Sequence, residues 1–435
     1  MDCVRIGLIG LGTVGCGVIN LVAKRGKTLA ERSGVEIKIT RAAAKGFSKK
    51  RDADLAGIAL TMDPFEIVRA NDVDIVIEVM GGENPALELI LEAVKNGKHV
   101  VTANKRLLAV HGEKIYKAVE EAGVELGFEA AVAGAVPVIR SIRRAFAANK
   151  IEAVHGIING TSNYILSRMT EEGKPFGEIL KDAQDLGYAE ADPTFDVEGI
   201  DSAHKIAVLA ALAFETPVDF SGVYTEGISK ITPEDIGMAR EFGYRIKLLA
   251  VAKRVNDSMD VRVHPAMIPA SHPMANVNGP LNAVEVIGDF AGVNMLVGPG
   301  AGAGPTASAV MGDALDIASN IARGTAGKRP PLMAPYALRK KIKMRPVDEV
   351  RSQYYLRFTV FDRPGVLANL AGALGDNGIS IASMIQRGRE ENQPVSVVMT
   401  THEAVEANLN KALAKISSLN VCAAATMVIR MEGEK

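Results

Sequence analysis

Short apolar runs alternate with helical spacing along the first part of the chain. Val4 to Ile9 reads as a strand, followed by helical spacing through Ile19 and Val22, and Val35 to Thr40 reads as a second strand ending at Arg41. Val73 to Val79 (VDIVIEV) is a buried-type strand leading to Met80-Gly81-Gly82, His99 to Thr102 another ending in Ala103-Asn104-Lys105, and Val124 to Phe128 one more. Unbroken apolar strands separated by helices predict a doubly wound parallel sheet, with ligands outside the carboxyl ends of its strands. From Ile151 the pattern changes. IEAVHGII, LLAVAKRV, MDVRVHPAMI and NAVEVIGD read as strands of a second sheet, with helices at YILSRMTEE and IDSAHKIAVLAALAF. Gly298 to Thr306 (GPGAGAGPT) is a glycine-rich turn into a helix, ASAVMGDALDIASNIA, expected to pack back against the first sheet. Lys328 to Val350 is Pro-rich and basic and reads as a connector. Beyond it, YYLRFTVF, the turn DRPG, a helix VLANLAGALGDNG, strands ISIASMIQ and PVSVVMTT, a helix from Glu403 and a strand CAAATMVIRM follow the order βαββαβ.

The first turn makes the first sheet a candidate binding unit. Gly10-Leu11-Gly12-Thr13-Val14-Gly15 stands between strand and helix as GxGxxG. Gly10 permits the tight turn, Gly12 lets backbone approach a pyrophosphate, Gly15 lets helix pack on strand, and the N–H groups at the helix start face the phosphates. No Asp or Glu follows the second strand, where an acid usually grips the free ribose hydroxyl of NAD. Arg41, with Lys45, Lys49 or Lys50, is placed to meet a 2'-phosphate instead, so NADP is the preferred cofactor and NAD stays open; ordinary solvated cations are the plain alternative. Thr102 and Lys105 are candidates for the nicotinamide end, and Gly302 is expected near the cofactor. The expected fold class is α/β: a Rossmann-type nucleotide domain over 1–130, an α+β substrate and dimerisation domain over 131–327, the connector over 328–350 and a ferredoxin-like domain over 351–435.

Composition narrows the partners. The chain has 435 residues, enough for roughly three domains. A net charge of -1 gives no electrostatic reason to expect nucleic acid or an acidic membrane, so the ligand is a small molecule. Cys3, Cys16 and Cys422 show no metal or CxxC spacing, which fits a reducing compartment. The apolar N-terminus lacks a basic leader and no uninterrupted apolar run reaches membrane-spanning length, so a cytoplasmic location is expected.

The densest chemistry lies in Ala183 to Lys205, AQDLGYAEADPTFDVEGIDSAHK. Gly187 and Asp192-Pro193 mark a loop, because Gly relaxes the backbone and Pro pushes its predecessor out of helical geometry. Beyond Gly199, helical spacing puts Asp201 and Lys205 on one face, continued by the core residues Val208, Leu209 and Leu212. The pair therefore points inward, where a carboxylate sets the proton affinity of the Lys for acid/base work. A solvated surface ion pair is the commoner fate of such spacing. The order Ala183, Gly187, Tyr188, Ala189, Asp192, Pro193, Asp196, Gly199, Asp201, Lys205 resembles the signature of homoserine dehydrogenases, and VTANK and NGTSNYIL are similar to the same family. The DRPGVL turn and the NGI step resemble an ACT domain, a module that commonly binds amino acids.

The resemblance covers essentially the whole chain. It implies reversible reduction of aspartate 4-semialdehyde to homoserine by NAD(P)H, with Lys205 as proton donor, Asp201 fixing it, and Lys105 polarising the same oxygen. It also implies that Gly160, Thr161, Gly187, Tyr188, Glu190 and Asp196 contact substrate, with Glu190 on the ammonium group. Glu129 and the backbone of Val132, Gly134 and Val136 would hold a monovalent cation, sodium or potassium. Asp362, Arg363, Pro364, Gly365, Val366, Asn377 and Ile379 are the effector candidates, threonine is the expected inhibitor, and a homodimer or homotetramer is expected. Two rivals remain. An aspartate-semialdehyde dehydrogenase needs a cysteine nucleophile, and none of the three cysteines is well placed. A non-catalytic amino-acid sensor would hold NADP only structurally, which intact Asp201, Lys205 and Lys105 argue against.

Overall fold

The computed structural model describes residues 3–386 and 393–433; the rest of the expected C-terminal unit, 387–392 and 434–435, lies outside the described residues. The first unit holds β1 (Cys3–Ile9), α1 (Thr13–Ser33), β2 (Glu36–Ala43), β3 (Ala59–Thr61), α2 (Pro64–Arg69), β4 (Ile75–Glu78), α3 (Ala86–Lys95), β5 (His99–Thr102), α4 (Lys105–Ala122) and β6 (Leu126–Gly127). Its strands are parallel throughout, in the order β3-β2-β1-β4-β5-β6. The order reverses between β1 and β4, where a crevice opens beyond the strand ends. Pairing with β1 carries β2 past the apolar pattern to Ala43, across a register shift at Ile6/Gly7, so Arg41 lies inside the strand.

The second unit contains α5 (Val138–Arg140), β7 (Ile151–Ile157), α6 (Gly160–Glu172), α7 (Phe176–Asp185), α8 (Thr194–Val197), α9 (Ile200–Phe214), β8 (Tyr224–Thr225), α10 (Pro233–Glu241), β9 (Tyr244–Val255), β10 (Ser258–Pro269), β11 (Leu281–Gly288), β12 (Gly292–Pro299) and α11 (Ala303–Ala322). Helix α9 is buried from Asp201 to Phe214 without a break, packed between the sheet and α4. That all-round apolar character marks a core helix, and it draws Asp201 and Lys205 inside with it. Helix α11 shares a core with α1 and β1 through Val310, Met311 and Ala314. A Cβ added at Gly17 would lie 2.7 Å from the Ala303 carbonyl, so the two helices meet closely near their N-termini.

The tail is built from β13 (Lys343–Met344), β14 (Arg351–Phe361), α12 (Val366–Asp376), β15 (Ile381–Gln386), β16 (Pro394–Thr401), β17 (Ala404–Val405), α13 (Glu406–Ser418) and β18 (Met427–Met431). Its sheet order, β18-β14-β16-β15, is that of a ferredoxin-like fold. Strand β18 pairs in parallel with β10, joining Ala266 to Arg430 and Met267 to Met431, so the substrate and tail sheets form one continuous surface. Polar contacts fasten the seam: Arg357 Nε donates to Asp235 at 2.7 Å, the Tyr355 hydroxyl at 3.1 Å, and Arg430 meets Glu226 at 2.8 Å. The connector is bound down too, with Ile342 N donating to Thr216 Oγ1 and Arg345 N to the Met259 carbonyl.

Candidate active site

A cleft of about 500 Å³ opens at the crevice between β1 and β4, lined by Gly10, Gly12, Ala44, Lys45, Gly81 and Gly82 among others. The glycines divide three tasks. Gly10 has φ +108°, and a Cβ there would lie 2.8 Å from the Val79 backbone. A Cβ on Gly15 would lie 1.9 Å from the Gly10 carbonyl, whereas one on Gly12 would meet nothing within 4 Å. Gly12 thus fronts open space beside the start of α1, where Thr13 and Val14 form the first turn, and the cradle fits a dinucleotide pyrophosphate. Arg41 does not line this cleft. Its guanidinium donates to Asp72 at 2.7 Å, and Lys45 is the basic residue at the cleft wall.

Next to this cleft, β5 ends in a buried polar knot. Thr102 is buried and its hydroxyl donates to Glu78 at 2.7 Å, which leaves it a supporting rather than a ligand-facing side chain. Glu78 also accepts from Met80 N and Gly81 N, shaping the cleft loop, and burial raises its pKa. Asn104 caps α4 by accepting from Leu107 N and donates to the Gly82 carbonyl, so the residue that starts α4, Lys105, is set beside the loop. Lys105 Nζ lies 2.5 Å from Asp201 Oδ1, a charge contact brought from one unit to the other. Lys205 Nζ donates to Asp201 Oδ2 at 2.7 Å and to the Ile158 carbonyl at 2.6 Å. Burial disfavours ionisation of Asp201, but the Lys205 and Lys105 ammonium groups outweigh it and hold the carboxyl well below the usual range. Burial lowers the Lys205 pKa despite Asp201, whereas for Lys105 the attraction of Asp201 overcomes burial and raises it. One carboxylate thus orients two lysines of unlike acidity around one small space.

Over 432 residues, 99% of each chain, the protein is 46% identical to a homoserine dehydrogenase of Neisseria gonorrhoeae. The chain belongs to the homoserine dehydrogenase family. A homoserine dehydrogenase of Pseudomonas aeruginosa is 44% identical over 99% of each chain. The crystal structure of a homoserine dehydrogenase from Thiobacillus denitrificans superposes with a TM-score of 0.95, at 46% identity and 99% coverage of both chains. Family models described as homoserine dehydrogenase, NAD binding domain, as homoserine dehydrogenase, and as ACT domain match residues 10–129, 137–315 and 354–420. Like its family, the chain is an oxidoreductase acting on a CH–OH group, interconverting aspartate 4-semialdehyde and homoserine with a nicotinamide cofactor. The cysteine-nucleophile and sensor readings give way to this.

Within this homoserine dehydrogenase the remaining sequence candidates fall into distinct places. Gly160 and Thr161 open α6, with a Cβ on Gly160 2.9 Å from the Pro280 carbonyl and Thr161 Oγ1 donating to the Tyr188 carbonyl at 2.7 Å. Tyr188 stacks on Tyr164, and Gly187 and Glu190 are exposed on the same loop. Asp196 sits in α8, its pKa raised by burial. Gly302 caps α11 near the start of α1 and does not line the nucleotide cleft. Glu129 accepts from Ile139 N and Arg140 N, which makes it a cap for α5, and burial with Asp313 nearby raises its pKa to about 7. The Val136 carbonyl accepts from Val138 N, whereas those of Val132 and Gly134 take no hydrogen bond among the described residues. In the tail, a cavity of about 350 Å³ is lined by Asp362, Arg363, Pro364, Gly365 and Val366. Asn377 and Ile379 lie beyond the far end of α12 instead, Ile379 buried in the tail core. Sequence reasoning missed Glu78 and His204, and met Asn159 only as the first residue of NGTSNYIL. His204 stacks between Phe195 and Phe220, and Lys105 Nζ lies 5.7 Å from the Phe195 ring centre. Their decisive partners, Thr102 for Glu78, Asp196 and Asp201 for Asn159 and Phe220 for His204, are distant in sequence, so no local spacing announces them.

Proposed function

We propose that homoserine and aspartate 4-semialdehyde interconvert at the space bounded by Lys205, Lys105 and Asp196. The carrying observation is the single buried carboxylate, Asp201, in contact with Lys105 at 2.5 Å and Lys205 at 2.7 Å from two different units. A nicotinamide cofactor bound in the cleft would supply the hydride for the aldehyde carbon, and the oxygen left behind would need a proton. Lys205 has two N–H groups committed, to Asp201 and the Ile158 carbonyl, and the third is free for that oxygen. Its lowered pKa makes it the readier acid, while Lys105 stays charged and stabilises the developing oxyanion. Glu190 and Asp196 receive the substrate ammonium, and the N–H groups of Gly160 and Thr161 at the α6 start its carboxylate.

Lys45 favours NADP, taking the 2'-phosphate in place of Arg41. Val132 and Gly134 offer carbonyls to a sodium or potassium ion, with Glu129 sharing its carboxylate and Val136 contributing backbone shape. The cavity at Asp362 to Val366 is the proposed threonine site, completed by Asn377 and Ile379 of a second subunit in a homodimer or homotetramer. No helix among the described residues is long and apolar enough to cross a membrane; the proposed cytoplasmic location rests on the three cysteines, all of them free thiols. The test is NADPH and NADH oxidation with aspartate 4-semialdehyde by the full chain and by Lys205→Ala. Turnover should fall by roughly 10²–10⁴ with NADPH affinity intact; parallel loss of both would make Lys205 a structural residue.

A further inference from the structure

The two carboxylates at the centre, Asp196 and Asp201, share one neighbour that holds both. Asn159 is buried between the end of β7 and the start of α6. Its Oδ1 accepts from Ser162 N at 2.8 Å, which settles the amide orientation, because the flipped amide would turn its oxygen against two carboxylates. Nδ2 then donates to Asp196 Oδ1 at 2.7 Å and to Asp201 Oδ2 at 2.9 Å. Every polar atom of the side chain is engaged. Asp201 is left with both oxygens on lysines, and Asp196 Oδ2 takes no hydrogen bond among the described residues.

We propose that Asn159 is a positioning residue that divides the two carboxylates between their tasks, keeping Asp201 with the lysines and Asp196 ionised for the substrate ammonium. The inference rests on the roles given above to Lys205, Asp201 and Asp196. Two adjacent carboxylates without an intervening donor drive one of the pair to protonate. The charged groups facing Asp196 are Asp201 and Lys205 from α9 and Lys105 from α4, and Glu190 on the preceding loop bears on Lys105 in turn. Burial raises the Asp196 pKa, and the Asn159 hydrogen bond opposes that rise. Removing the donor therefore moves Asp196 toward protonation at higher pH, and with it the acid limb of kcat/KM.

Asn159→Asp and Asn159→Ser separate this role from helix capping. Each keeps an oxygen for Ser162 N, since Asp and Ser both cap helices well. Asp removes both donors and adds a third carboxylate; Ser keeps at most one donor. The expected result in the full chain is an upward shift of the acid limb by about one pH unit or more for Asn159→Asp, and a smaller one for Asn159→Ser. NADPH affinity should stay within about threefold, and activity should recover at high pH. An unshifted limb in Asn159→Ser, with activity reduced equally at all pH values, would overturn the proposal and leave Asn159 a cap. Lys205→Ala measured alongside tells the two levels apart: an active Lys205→Ala enzyme sinks the underlying mechanism, whereas an inactive one with unshifted Asn159 variants sinks this inference alone.

Discussion

Asp201 pulls the proton affinity of both lysines upward, so replacing it should act through both. In Asp201→Asn the opposing pull on Lys205 disappears while burial remains, and its pKa falls further. Lys105 loses the attraction that raised its own. The reductive direction needs Lys205 protonated, so its alkaline limb should move to lower pH by about one unit or more, with kcat at neutral pH reduced roughly 10²-fold. A pH–rate profile of Asp201→Asn in the semialdehyde-reducing direction checks this; an unmoved alkaline limb would detach Asp201 from proton transfer. At this scale legibility followed locality. The helical spacing of Asp201 and Lys205 announced their 2.7 Å contact, and the apolar face below them announced its burial. The contacts of Asp201 with Lys105 and Asn159 depend on how α4, α6 and α9 pack, and no spacing within either segment encodes that.

At the β1 turn, one motif contains glycines with opposite liabilities. Gly15→Ala would put a Cβ 1.9 Å from the Gly10 carbonyl, forcing α1 off the sheet. It should lower the melting temperature and the yield of folded protein. Gly12→Ala meets no neighbour within 4 Å and should fold normally, yet bind NADPH at least tenfold more weakly because the new methyl occupies ligand space. Melting curves and NADPH titrations of the two variants separate these outcomes, and a destabilised Gly12→Ala with unchanged affinity would mean the pyrophosphate lies elsewhere. Cofactor choice belongs to the end of β2 and the loop after it. Lys45→Ala should weaken NADPH about tenfold while leaving NADH unaffected, and Arg41→Ala should barely discriminate, since Arg41 is paired with Asp72. The motif glycines were readable because each answers a steric demand inside a short segment. The true end of β2 was not, because Arg41 to Ala43 are held by pairing with β1 rather than by an apolar run. Strand β12 escaped for a related reason: as a sheet edge with Val293 and Val297 exposed, it has little burial to imprint on its sequence.

Over the whole molecule, the tail had the sequence of a detachable regulator but is built into the catalytic unit. The order βαββαβ and the DRPG turn were legible, because strand and turn chemistry are local. Its attachment was not, since CAAATMVIRM reads the same whether its strand is an edge or a bridge between sheets. Strand β18 lies against β10, and Tyr355, Ile429 and Met431 belong to the same apolar core as α9. Asp235, fully buried, takes hydrogen bonds from Arg357 and Tyr355 as well as from its own cap residue Thr232. Breaking one partner of such a buried pair costs about 3–5 kcal/mol. Arg357→Met should therefore lower the melting temperature by several degrees with the substrate site untouched in sequence. A tail that is merely tethered would let a chain ending after Arg345 keep its activity free of inhibition. The seam reverses that expectation: the truncated chain would bare the β10 edge, strip Asp235 of two donors and leave Glu226 without Arg430. It should melt far below the full chain and aggregate, with little activity recovered. Asp362→Asn, in the lining of the tail cavity, should instead weaken threonine inhibition while leaving the melting temperature and kcat near those of the intact chain. Thermal melts and threonine titrations of both proteins decide the matter. A soluble, fully active truncated enzyme would show that the tail only rests on the catalytic unit, and an Asp362→Asn enzyme with undiminished inhibition would place the effector outside the cavity.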